Sequence, residues 1–428
     1  MFEKFFQISR HKSSIRTEIL AGTTTFLTMA YIIIVNPAIL AEAGMDREAL
    51  VAVTCLISAF SCILMGLVAK APIALAPGMG LNAFFAYTLV GTYGLSWQVA
   101  LGMVVWAGIL FLILGVLGAR EKIVAAIPPS LIHAIGAGIG LFLMFIGMKN
   151  LGFVVDHPVT LVTLGTLNGE VLIGIAGLML TFILMIRNIP ASILIGIIFS
   201  TILAFAFGKI HLPATLIDLN VDISAVAFQP DLLGALKWSL LAPIFALLFI
   251  DMFDTLGTLV ACAHEAKLVR KDGTIDKIRQ MLGVDAIATL MSGILGSSPT
   301  TSYVESASGI AVGGRTGLTS IITGLWFLLG LLFVPLLSII PAYATAPALI
   351  IVGILMSKQL KNIPFDKLEE SIPVMLMIST MVFSFKIAAG LAIGFLSWGL
   401  IKLLLFKTYK IPAVMWIIML LSFLSLIV

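Results

Sequence analysis

Four polar side chains sit within long apolar runs of this sequence, at spacings that suggest chemistry. Asp251 and Asp254 fall inside SLLAPIFALLFIDMFDTLGTLVACA, Glu305 inside GSSPTTSYVESASGIAVGGRTG, and Asn82 inside APIALAPGMGLNAFFAYTLVGTYG. An ionisable group buried in a bilayer costs roughly 2.5–3.5 kcal/mol on insertion scales, so each acid is a functional candidate by default. Asp251 and Asp254 are three residues apart and so share one helical face about a turn from each other. Two carboxyls so close and so poorly solvated are suited to taking up and releasing a proton. Glu305 follows Thr300, Thr301, Ser302 and Tyr303 at the start of a short helical run, where a carboxylate can accept hydrogen bonds from the N–H edge of a planar heterocycle. Asn82 offers both a donor and an acceptor in the equivalent place of the earlier segment. Beside it, Gly80 belongs to a stretch of backbone N–H groups, and Phe84 and Phe85 could stack on an aromatic ring or face core or lipid. Asp285 is a secondary candidate near the cytoplasmic start of its span, as a solvated or a paired group. His133 reads as a structural hydrogen-bonding residue. Cys55, Cys62 and Cys262 lie in apolar runs without paired spacing, which points to neither a disulfide framework nor a metal site, and no cofactor is implied.

The elements that must position these groups are membrane spans. Of 428 residues, 60% are hydrophobic and 11% charged, against about 25% charged in ordinary soluble domains. That excludes a soluble enzyme, and the net charge of +4 sets orientation rather than marking a nucleic-acid partner. Runs approaching the length that crosses a bilayer recur near 17 to 41, 50 to 69, 79 to 92, 97 to 118, 131 to 149, 170 to 187 and 190 to 208. After a polar stretch with Asp218, Asp222 and Asp231, seven more follow near 238 to 263, 281 to 296, 302 to 313, 317 to 340, 344 to 357, 371 to 385 and 388 to 406. A last apolar stretch, 412 to 428, has no counterpart in the first half.

Lys4, Arg10, Lys12 and Arg16 hold the N-terminus in the cytoplasm. Arg120, Lys122, Arg187, Arg315, Lys358, Lys361, Lys367 and the basic loop HEAKLVRKDGTIDKIRQ (264 to 280) then fall inside, whereas Glu42, Asp46 and Glu48 fall outside. An odd number of spans per half inverts the second half relative to the first, the arrangement by which secondary transporters build two alternately opened faces. Faint internal similarity agrees: IPPSLIHAIGAGIGL (127 to 141) and IPAYATAPALIIVGI (340 to 354) both enter a span from an Ile-Pro turn.

The third span of each half breaks the apolar rule. Prolines, glycines and small hydroxyl residues open residues 71 to 94 and 296 to 317, and each then becomes a helical run too short to cross unaided. Irregular backbone survives at membrane depth only where protein or a water-filled cavity satisfies it, so two half-spans imply a polar site between them. Their helix N-termini would aim N–H groups at that site. The same broken-helix plan could serve an anion such as sulfate or bicarbonate, and this alternative stays open, although three candidate acids with no intramembrane Lys or Arg close to the starts of the short helices disfavour it. A channel would need a repeated filter, and an enzyme a nucleophile–base or metal pattern.

RTEILAGTTTFLTMAYIIIVNPAIL, APGMGLNAFFAYT, LLFIDMFDTLGTLVA, SSPTTSYVESASGIAVGGRTGLTS and APALIIVGILM resemble the hallmark segments of the AzgA-like purine permeases of the nucleobase–cation symporter-2 group, over about residues 10 to 410. The resemblance implies an all-α, uracil-permease-like fold of fourteen transmembrane segments as a 7+7 inverted repeat. It implies a core domain (17–118 and 238–340), a gate domain (119–208 and 341–410), an extracytoplasmic linker at 209–237, a cytoplasmic segment at 1–16 and an unassigned apolar segment at 411–428. It also implies uptake of guanine, hypoxanthine or adenine with a proton, sodium being the less favoured cation, across the cell inner membrane by a carrier that could pair as a homodimer. The family's essential polar positions fall on Asn82, Asp251, Asp254 and Glu305; on the residues and the resemblance together Asp251 and Glu305 are expected to hold the coupling proton or the base itself, and Gly80, Phe84, Ser302 and Tyr303 are expected beside the substrate.

Overall fold

Helix starts follow from local chemistry. Ser14, Asp46, Ser96, Asn168 and Thr316 each accept a hydrogen bond from a backbone N–H two or three residues on, satisfying donors that a helix leaves open. The computed structural model describes residues 2–213, 215–217, 222–269 and 275–427, so Asp218 and part of the basic loop lie outside the described residues.

In the first half, α1 (Phe2–Phe6) precedes α2 (Ile15–Met29), α3 (Ile32–Ala41) and α4 (Arg47–Leu64); then come β1 (Leu75–Pro77), α5 (Met79–Ala83), α6 (Trp97–Val116) and α7 (Ala119–Ala126). They are followed by α8 (Pro129–Asn150), a hairpin of β2 (Val154–His157) and β3 (Leu161–Leu164), α9 (Gly169–Ile186) and α10 (Ser192–Ala206). The second half has α11 (Leu241–Glu265), α12 (Ile278–Leu295), β4 (Thr300–Ser302), α13 (Ser306–Val312), α14 (Gly317–Gly330) and α15 (Val334–Ser338). It ends with α16 (Ala342–Ser357), α17 (Leu368–Ser384), α18 (Ile387–Leu404) and α19 (Ala413–Ile427).

Among the described residues, 10 helices are long and apolar enough to cross a membrane, and the protein is a multi-pass membrane protein. The remaining four of the fourteen expected segments are shorter: α10 has 15 residues, α17 has 17, and the third and tenth are broken into α5 and α13. α5 runs on into wider π-helical turns over Phe84–Thr92, which lengthens it without restoring a regular span. α19 is a 15-residue helix that packs on α7, α11 and α18; at 1.5 Å per residue it is about 22 Å long, short of a full crossing.

Packing separates two groups. α14 lies against α2 and α4, α13 against α2, and α6 against α12; α8 lies against α16 and α17, and α17 against α18. The closest approaches need glycine. A Cβ on Gly353 would stand 2.4 Å from the Gly140 carbonyl oxygen, so α8 and α16 cross backbone to backbone. Gly66 and Gly317 do the same where α14 begins. One large apolar cluster fills the interior, with Phe84, Phe85, Phe111, Phe142, Phe327 and Phe395 fully buried in it.

Candidate functional site

The two broken segments meet. β1 and β4 pair antiparallel, with Leu75 opposite Ser302, Ala76 opposite Thr301 and Pro77 opposite Thr300. The ladder continues as Gly78 N–H donates to the Pro299 carbonyl at 2.9 Å and Tyr303 N–H to the Ala74 carbonyl at 2.9 Å. Extended backbone is tolerated at this depth because each strand supplies the other's partners. α5 and α13 leave the crossing from its two opposite ends, so both begin at one place.

Side chains brace the crossing. Tyr303 Oη donates to the Pro77 carbonyl at 2.6 Å, Ser302 Oγ to the Thr255 carbonyl at 3.1 Å, and Ala74 N–H donates to Ser306 Oγ at 3.0 Å. Ser302 and Tyr303, expected beside the substrate, therefore have their hydroxyls committed to holding the strands. Glu305 stands at the start of α13, partly exposed, and accepts a hydrogen bond from Tyr31 Oη at 2.5 Å. Ser308 Oγ, 2.6 Å from the Glu305 carbonyl and 2.9 Å from Thr28 Oγ1, fixes the same turn against α2.

Asp251 is 2% exposed and accepts from Thr289 Oγ1 at 2.9 Å, while Asp254, one turn further along α11, stays partly exposed beside Thr301. Asp285 corrects an expectation. It is not solvated at the mouth of its span but two turns inside α12 and fully buried, which leaves the paired alternative.

Asn82 takes a different place from Glu305. It is fully buried, its Nδ2 donates to Asn36 Oδ1 at 3.3 Å, and its Oδ1 has no protein partner. Asn36 is the hub of that network: Nδ2 reaches Thr54 Oγ1 at 2.8 Å and Ser297 Oγ at 3.3 Å, and Oδ1 accepts from Ser298 at 3.4 Å. Gly80 lies against α8, where a Cβ would stand 2.6 Å from Ile139 Cγ2. Phe84 and Phe85 are wholly inside the apolar cluster.

Three residues that sequence reasoning passed over do structural work here. Tyr31 orients Glu305, and Asn36 joins the two halves. Glu18, fully buried on α2, accepts from Arg315 N–H, Thr316 N–H and Thr319 Oγ1 and so caps α14. The signal for the first two was present: a tyrosine and an Asn-Pro pair inside the apolar run MAYIIIVNPAIL. Among the described residues no three His, Cys, Asp or Glu side chains gather as a metal site.

Comparison with known proteins adds to this geometry. The profile described as "Permease family" matches residues 16–393. The chain is 43% identical over 404 residues to the adenine permease AdeP of Escherichia coli K12, covering 94% of this chain and 91% of that one. It is 41% identical over 427 residues to the guanine/hypoxanthine permease PbuG of Bacillus subtilis strain 168, covering 96% of each. Among solved structures, the transmembrane domain of the cyanobacterial bicarbonate transporter BicA superposes with a TM-score of 0.64 at 18% identity, covering 89% of this chain and 97% of that one. That likeness is one of fold.

Proposed function

The chain belongs to the Permease family, and from that premise we propose that it is a secondary transporter importing a purine nucleobase by cation symport, the cation being a proton. The observation that carries the reading is the crossing of β1 and β4, which starts two short helices at one place with Glu305 at its rim. The relatives named for adenine and for guanine and hypoxanthine support a purine as cargo. On this reading the protein sits in the cell inner membrane with its N-terminus cytoplasmic. Its fourteen segments form two inverted sevens, and homodimers are compatible with the plan.

The two packing groups correspond to a core (17–118 and 238–340) and a gate (119–208 and 341–410). The core carries the crossing. α8 and α16 are the fifth and twelfth segments and would be equivalent under the inversion, and their mutual contact at Gly140 and Gly353 is what such symmetry requires.

Substrate enters between core and gate. Backbone N–H groups at the starts of α5 and α13, other than those of Gly78 and Tyr303 that complete the ladder, offer donors to ring nitrogens and carbonyls, and the Glu305 carboxylate accepts from the N–H edge. Tyr31 holds that carboxylate in one orientation before substrate arrives. Asp251 carries the coupling charge, and its neutralisation lets the core move against the gate, because a cavity with unbalanced charge is expensive to enclose. No covalent step is involved. An anion in place of the purine would face Glu305 and Asp254, which disfavours a sulfate- or bicarbonate-type cargo despite the shared fold.

The test is uptake of radiolabelled hypoxanthine, guanine, adenine, uracil and sulfate in cells lacking their own carriers, with and without a protonophore, for the wild type and Glu305→Ala. Protonophore-sensitive purine uptake that disappears in the variant is the expected result. Well-expressed protein that accumulates another solute and no purine would overturn the substrate assignment.

A further inference from the structure

The crossing has a second side, facing α11 and α12. Each of these helices carries an aspartate four residues before a threonine, Asp251 and Thr255 on α11 and Asp285 and Thr289 on α12, so each pair shares a helix face. The pairs meet reciprocally. Thr289 Oγ1 donates to Asp251 Oδ2 at 2.9 Å, and the Thr255 hydroxyl faces the Asp285 carboxyl. Thr289 Oγ1 is also 3.1 Å from the Thr300 carbonyl, which joins the cluster to β4.

This cluster is closed off. Asp285, Thr255, Thr289 and Thr300 are 0% exposed and Asp251 2%. Yet Asp251 Oδ1, both Asp285 carboxylate oxygens, Thr255 Oγ1 and Thr300 Oγ1 have no partner at hydrogen-bonding geometry. Buried polar atoms are nearly always satisfied, and a concentration of orphaned oxygens marks a missing ligand. Every one of these atoms is a hard oxygen donor. The charge count points the same way. Asp254, one turn along α11, and Arg120 are the charged groups acting on the pair. Arg120 Nη1 donates to the Leu282 carbonyl, one turn before Asp285, at 2.9 Å. With Asp254 counted, three carboxylates beside one guanidinium carry an excess of negative charge when ionised, in a region where an uncompensated charge costs several kcal/mol.

We propose that this Asp251–Thr255–Asp285–Thr289–Thr300 cluster is the binding site for one monovalent cation, the coupling proton or a sodium ion, separate from the purine contacts at Glu305. The proposal deepens the symport reading above and rests on it. It assigns Thr255 and Thr300 as cation ligands and makes Asp285 the partner of Asp251. The strand β4 becomes the shared wall through which cation occupancy reaches the substrate side, because its Thr300 carbonyl faces Thr289 while its chain continues to Glu305.

The experiment uses purified full-length wild type, Asp285→Asn, Thr255→Val and Thr300→Val in liposomes. Gradient-driven accumulation of radiolabelled hypoxanthine, adenine and guanine is measured beside equilibrium exchange of the same bases without a gradient. One arm imposes a pH gradient with no sodium, the other a sodium gradient at equal pH; the arm that drives the wild type names the cation. Asp285→Asn is expected to lose gradient-driven accumulation, with the purine exchange that remains no longer depending on the driving cation. Each threonine variant is expected to need about tenfold more of the driving cation for half-maximal accumulation, the loss of one ligand worth about 1.4 kcal/mol. Accumulation that stays at wild-type level in all three variants overturns the proposal, as does loss of exchange in variants that remain monodisperse. Should Asp285→Asn fail to fold, the threonine variants decide alone. A wild type that exchanges no purine overturns the transport reading instead, so the two failures are distinguishable.

Discussion

Tyr31→Phe removes one oxygen atom and nothing else, and that oxygen is 2.5 Å from Glu305 Oε1. Tyr31 is 1% exposed, and the ring is retained to preserve packing. A hydrogen bond to a charged group contributes about 1.5–3 kcal/mol. If Glu305 reads the base in the orientation Tyr31 imposes, that difference appears in transport as a rise in KM of about tenfold to a hundredfold. The maximal rate should change less, since the phenol is lost equally from free and loaded carrier. The assay is initial-rate purine uptake across a concentration series, with surface expression measured in parallel. Glu305→Gln and the double variant complete a thermodynamic cycle, in which the Tyr31→Phe effect should shrink once the carboxylate is gone. An unchanged KM in Tyr31→Phe, or strictly additive effects in the double variant, would refute the claim that Tyr31 acts through Glu305.

Gly353→Ala should lower the detergent melting temperature and reduce expression, because its Cβ would stand 2.4 Å from the Gly140 carbonyl oxygen, a backbone atom that cannot rotate away; overpacking of this kind costs about 1–3 kcal/mol. Asn36→Leu should cost about 1–3 kcal/mol for each polar group it strands. Asn82, Thr54, Ser297 and Ser298 all lose a partner, so fluorescence-detected size exclusion should show little monodisperse protein, while Asn36→Asp should be less damaging.

The architecture was largely legible because its signal is local. A run such as SILIGIIFSTILAFA declares a helix by composition alone, and every expected segment contains helix. Asp251 and Glu305 stand out as candidates for a related reason, that an acid inside an apolar run is costly. The pairing of β1 with β4 was not. Local sequence says only that APIALAPG and GSSPTTS cannot be regular helix, and the partners that satisfy them lie more than two hundred residues apart. For the same reason Asn82 read as a ligand group: its neighbours Phe84 and Phe85 are adjacent in sequence, whereas Asn36, which holds its amide, is adjacent only in space. The burial of Asp285 was not legible, because its span begins at a basic loop and only the packing of α11 on α12 reveals how deeply it is enclosed.

The bonds around the crossing divide according to what must stay together and what must separate. Toward α11, α12 and Tyr31 the strands and their helices are tied by hydrogen bonds: Ser302 to the Thr255 carbonyl, Thr289 to the Thr300 carbonyl, and Tyr31 to Glu305. Toward the proposed gate, mid-membrane contacts are apolar: Gly80 against Ile139, and the Phe249 ring 6.3 Å from that of Phe395. Hydrogen bonds across the division include, at one end, Thr88 Oγ1 to the Phe385 carbonyl at 2.9 Å and Asn150 Nδ2 to Tyr87 Oη at 3.4 Å, and, at the other, Arg120 Nη1 to the Leu282 carbonyl at 2.9 Å. On the proposed topology the Thr88 and Asn150 bonds lie at the outer end and those of Arg120 at the inner one. Apolar surfaces slide at little directional cost, whereas two hydrogen bonds worth about 1 kcal/mol each must break for the outer face to open. A latch that weak can be reversed by the binding free energy of a small planar base and one cation, which is the scale a carrier needs if both its faces are to open in turn.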